Sequence, residues 1–191
     1  MDFNEIISNV KIYGLYESMV ASGYPMLINP YTSKDFCEQI DEIDSVDLIG
    51  ETTVENNNTK RAVNLASTNI GEGHDNFLNG VIIQFDLKFT VKAWTEAERY
   101  HFLDFVSSMS SMHRLTKMDY DKVFCSYVTE NTKNEMKRLL TEYNNNPCED
   151  TRLTLLYNCP VGLQLTARMT TNYRQLKTIY RQRKNHALPE W

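Results

Sequence analysis

Two short stretches of the sequence carry residue types that could bind a ligand. Gly71-Glu72-Gly73-His74-Asp75 joins two glycines to an imidazole and two carboxylates, in a loop where backbone can approach a small molecule. Asn172-Tyr173-Arg174 opens a basic run in which Arg174, Lys177, Arg181, Arg183 and Lys184 occur without an intervening acid. Amides at a helix start and guanidinium forks are both suited to phosphate oxygens, so this run is a candidate anion site, although a solvated helix face gives the same pattern. Arg174, Lys177 and Arg181 share a helical face. Arg183 lies nine residues from Arg174, about 900° of rotation, and therefore on the opposite side. The two arginines cannot grip one phosphate unless a large ligand or a neighbouring subunit bridges them.

Other chemistries have no framework in this sequence. It holds no Walker loop, Rossmann glycine pattern, HExxH or nucleophile elbow, and His74, His101, His113 and His186 lack metal-ligand spacing. No residue is assigned to catalysis or to a metal. Cys37, Cys125, Cys148 and Cys159 form no CxxC pair and read as buried, reduced thiols. The net charge of −5 makes nucleic acid an unsuitable partner and leaves the basic run for a discrete anion. Apolar residues at 41% and charged residues at 24% are ordinary for a globular protein, and no stretch is long and apolar enough to span a membrane. With no leader pattern at Met1–Glu5, the expectation is a cytoplasmic protein.

The elements that must position these residues follow from periodicity. Val10–Leu15 reads as a short strand and Tyr16–Ala21 as a helix. Val81–Val91 alternates strictly, with Ile83, Phe85, Leu87 and Phe89 on one face, and Gly162–Thr171 alternates likewise. Thr95 and Glu98 have capping-box spacing, which predicts a helix from Thr95 through Val106 into the Ser107–Met112 segment. Asn131–Tyr143 and Glu149–Asn158 carry apolar stripes, and a last helix runs from Asn172 to about Asn185. The fold class is α/β, a curved sheet with packed helices, in a single domain over 1–191. Residues 29–70 are the least legible: Lys34–Ile43 has helical spacing, Glu55–Thr59 reads as a polar loop, and the stretch could be an insertion or an oligomer contact.

From His74 to Trp191 the sequence resembles flavin-dependent thymidylate synthase. The segments that carry the resemblance are Gly73-His74, the Val81–Val91 strand, the helix after it, Cys159-Pro160, the strand to Thr171, and Asn172-x-Arg174-x-Leu176 with Arg183 at the family spacing. The family motif RHRxxSxxxxSxR is overwritten. With Arg114 on its last Arg and Ser107 on its first Ser, the RHR triplet falls on Phe102-Leu103-Asp104 and the second Ser on Met112. The Arg expected four residues before Pro160 is Leu156. The resemblance implies a divergent member that binds a flavin (FAD) or a nucleotide through His74, Asn172, Arg174 and Arg183, with Ser107 and Arg114 lining the remodelled side. It also implies a homotetramer and no thymidylate synthesis. The sequence also resembles bacteriophage homologues, which implies the alternative of a phage-encoded, host-directed partner or inhibitor that kept the fold and lost the chemistry.

Overall fold

Alternation in the sequence becomes a sheet where one face of each strand can be buried. The computed structural model describes residues 6–44 and 56–191. In chain order it contains β1 (Ile7–Tyr13), α1 (Leu15–Ala21), α2 (Ser33–Asp44), α3 (Asn57–Ala66), β2 (Ile82–Thr90), α4 (Val91–Ala97), β3 (Leu103–Ser108), α5 (Ser111–Arg114), α6 (Glu130–Asn145), α7 (Glu149–Tyr157), β4 (Gln164–Asn172) and α8 (Tyr173–Arg183). The four strands form one sheet in the order β1-β2-β4-β3, so the two alternating stretches are neighbours, as their patterns predict. On β2, Ile83, Phe85, Leu87 and Phe89 are buried while Gln84, Asp86 and Lys88 are not. Across the polar face Arg168 of β4 pairs with Asp86 at 3.2 Å and donates to the Asn9 carbonyl at 2.7 Å.

The chain divides into two compact units, residues 1–10, 85–170 and 186–191, and residues 11–84 and 171–185. Each has its own core. The first packs Leu115, Tyr120 and Phe124 with Met136 and Leu139 of α6, Leu155 of α7 and Leu163. These are the stripe positions of the two amphipathic helices. The second packs Met19 and Val20 of α1 with Ile43 of α2 and Ala62 of α3. Residues 33–44 and 57–66 are therefore helices that feed a core. The Asn56–Thr59 stretch, expected as a loop, starts α3, with the Asn56 side chain accepting from the Asn58 amide as N-cap. Glu55 and the rest of 45–55 lie outside the described residues, as does Met1–Glu5.

Arg61 of α3 fastens α1. Its Nη2 donates to the Met19 carbonyl at 3.2 Å and its Nε to the Ser22 hydroxyl at 3.0 Å, at the helix end where carbonyls lack helical partners.

One element differs from expectation. The helix after β2 begins at Val91, because Thr90 ends the strand and caps the helix directly, accepting from the Ala93 amide at 3.1 Å. Thr95, with its capping-box spacing, instead sits inside the helix and donates to the Lys92 carbonyl. The helix stops at Ala97, Phe102 turns the chain with φ of 62°, and Leu103–Ser108 forms β3 where a continuing helix was expected. The thiol reading changes too. Cys37 and Cys148 are exposed, whereas Cys159 is half-buried and its thiol is pushed up to about 11 by burial.

Candidate functional site

The loop before β2 is anchored by the one residue in it that is buried. Gly71 and Gly73 adopt φ of 100° and 81°, values open to glycine, and turn the chain so that Asp75 is only 1% exposed. His74 stays exposed beside it. The Asp75 carboxylate receives two cations from consecutive turns of α8. Arg174 Nε lies 3.1 Å from Oδ1, and Lys177 Nζ lies 2.8 Å from Oδ2. Lys177 also donates to the Thr68 carbonyl at 2.6 Å. Burial alone would push the Asp75 carboxyl up. Lys177 and Arg174 outweigh that effect and hold it below the ordinary carboxylate range.

The start of α8 is equally committed. The Asn172 side chain accepts from the Gln175 amide at 2.8 Å, and the Tyr173 amide donates to the Val81 carbonyl at 2.9 Å. Two of the early amides, those of Tyr173 and Gln175, are thus engaged within the chain. Asn172 acts as an N-cap, and the helix end is built by the chain's own groups. Two cations around one carboxylate leave an excess of positive charge, and Arg174 keeps 32% of its side chain accessible. That exposed guanidinium edge is the part able to meet a ligand oxygen. Arg183 closes α8 and is half-buried. Sequence reasoning missed Asp75 and Lys177 as a pair because 102 residues separate them; the only signal was a carboxylate next to His74 in the glycine loop.

The overwritten motif belongs to the other unit. Ser107 lies exposed on β3, and Arg114 ends the short helix α5, also exposed. Around them Phe102 (65%), Val106 (54%) and Met112 (56%) stand open to solvent. Beside this stretch a cavity of about 270 Å³ is lined by Trp94, Phe105, Ser108, Met109 and Thr166, among others; Ser107 and Arg114 are not in its wall. The Phe105 ring packs on Trp94 with centroids 5.0 Å apart. The face is aromatic and thioether in character, and nothing in it resembles a phosphate cradle. Among the described residues no group of three or more His, Cys, Asp or Glu side chains could hold a metal, and no helix is long and apolar enough to cross a membrane.

No family model matches the chain, and no curated protein matches it. Solved structures do. A flavin-dependent thymidylate synthase, ThyX, from Helicobacter pylori, in complex with FAD and dUMP, superimposes with a TM-score of 0.61 over 97% of this chain and 87% of its own, at 16% identity. A second structure of that enzyme with the same ligands gives a TM-score of 0.59 at 15% identity, covering 97% of this chain and 86% of its own. The chain has the flavin-dependent thymidylate synthase fold. The likeness spans both units and includes the N-terminal part, where the sequence showed no resemblance.

Proposed function

We propose that this protein binds a flavin or a nucleotide at the loop of His74 and the start of α8, and that it does not make thymidylate. The observation that carries the reading is the retained fold, together with a buried Asp75 that holds Arg174 and Lys177 in place beside His74. The Helicobacter pylori enzymes of the same fold hold FAD and dUMP. In this reading the exposed edge of Arg174 meets a ligand phosphate, and Arg183 serves the same ligand from the far side of the helix or from another subunit. Ser107 and Arg114 line the remodelled side, and FAD is the cofactor. We assign no catalytic residue.

Loss of activity follows from charge. Where the family motif supplies arginines, this chain has Phe102 and Asp104, and Leu156 replaces another. A phosphate dianion brought against those residues would lose its solvation without gaining a counter-charge. Purified protein is therefore expected to take up FAD, visible as a flavin absorption band, and to fail to rescue a bacterial strain that requires thymidine. Rescue would overturn the inactive reading, and a colourless protein that does not take up FAD would overturn the binding reading.

The assembly we infer is a homotetramer. Both edge strands expose apolar side chains, Val10 and Ile12 on β1 and Phe105 and Val106 on β3, and unpaired apolar edges are what a soluble protein covers. The same exposed face of β3 favours the second reading, a phage-encoded partner or inhibitor acting on a host protein in the host cytoplasm. Capture of a host protein by a protein without flavin would select that reading.

A further inference from the structure

A larger cavity lies in the unit made of residues 1–10, 85–170 and 186–191, and it uses none of the residues assigned above. It has a volume of about 660 Å³, within the range of small-molecule sites. Its wall is mostly apolar, with Val128, Pro160, Val161 and Leu188, but it also includes Glu190, a residue 7% exposed. Glu190 Oε1 accepts from the Thr90 hydroxyl at 2.7 Å, while the Thr90 oxygen accepts from the Ala93 amide. A hydroxyl has one proton to give, so Thr90 satisfies one lone-pair site of a carboxylate that offers about four. Lys92 also lines the wall, and its ammonium lies 3.0 Å from the Glu96 carboxylate, which offsets its charge there.

The segment that forms this wall is fastened at both ends. His186 Nε2 lies 3.2 Å from Glu96 Oε2, and the Trp191 ring packs against Phe89 and Tyr100 with centroids 5.0 and 5.8 Å away. Leu188 and Glu190 are thereby held across the cavity mouth as a preformed surface. A buried carboxylate in an apolar wall is stabilised by a cation more than by any neutral group, and it repels an anion.

We propose that this cavity binds a small, mostly apolar molecule carrying a positively charged amino group, with Glu190 as its counter-charge. The test uses the full chain and benzylamine as probe, followed by calorimetry, with benzoate as the matched anion. Saturable binding of benzylamine and none of benzoate is expected. Glu190→Gln keeps an oxygen for Thr90 and removes the charge, so it should weaken benzylamine by about tenfold or more with little change in Tm. Val161→Trp adds bulk to the cavity wall from an exposed position and leaves the Glu190 carboxylate in the chain, and it should abolish binding. Benzylamine should also slow alkylation of Cys125, which lines the cavity, and leave Cys37 unaffected, as resolved by peptide mass spectrometry. The proposal is overturned if the wild-type chain does not bind benzylamine, if Glu190→Gln binds it unchanged, or if benzoate binds equally well.

Discussion

The loop and helix around Asp75 and the β3–α5 stretch around Ser107 differ in how they handle charge. At Asp75, opposite charges are paired: a carboxylate 1% exposed, an arginine and a lysine from one helix face, and two glycines that allow the turn. Around Ser107 the surface is apolar instead, with Phe102, Val106 and Met112 open to solvent. A buried ion pair can persist because removing either partner strands the other, whereas an exposed ligand-binding face is free to drift once its ligand is lost.

Removing the carboxylate tests the matched side first. Asp75→Ala leaves Arg174 and Lys177 without their counter-charge, and a loss of about 3 kcal/mol in chemical denaturation is expected. A loss under about 1 kcal/mol would show that the pair is only ornamental to the fold. Acid makes a similar change without mutation. The folded Asp75 carboxyl is held below its ordinary range, so its contribution is present at neutral pH and is lost as pH falls below about 4. Melting curves should show this acid loss in the wild type and much less of it in Asp75→Ala.

The overwritten side should respond through assembly. Val106→Asp together with Met112→Asp is expected to change protomer stability by no more than about 0.5 kcal/mol, since both positions are exposed. If the proposed homotetramer uses this face, light scattering should nevertheless show its dissociation, because two charges would be buried at a contact. An unchanged assembly would move the interface elsewhere. The smallest effect is at Phe102, whose left-handed backbone carries strain of about 1 kcal/mol that glycine would relieve. Phe102→Gly should be neutral or stabilising by up to about 1 kcal/mol; at an ordinary strand position the same change would destabilise.

Legibility in the sequence followed burial. β2 and β4 were readable because one face of each is buried in strict alternation, and α6, α7 and α8 because their stripes or caps have helical spacing. β3 was not readable because only Leu103 of its six residues is buried, so no period-2 signal exists. Thr95 misled because its spacing to Glu98 is correct for a cap while Thr90, at the strand end, does the capping. Of the candidate site, His74, Asn172 and Arg174 were singled out by residue type, but the pairing of Asp75 with Lys177 depends on a contact across 102 residues, which local pattern does not encode. The geometry also changes how Arg174 must be tested. A neutral replacement would leave Asp75 with Lys177 as its one remaining cation, so a substitution that keeps the charge separates ligand binding from folding more cleanly.

Calorimetric titration of FAD into wild-type protein and into Arg174→Lys tests the central claim most directly. Lysine keeps the positive charge beside Asp75 but not the guanidinium fork. The account predicts saturable FAD binding to the wild type, weakened about tenfold or more in Arg174→Lys, with the two proteins melting within a few degrees of each other. Absence of FAD binding by the wild type, or identical binding by Arg174→Lys, would contradict it.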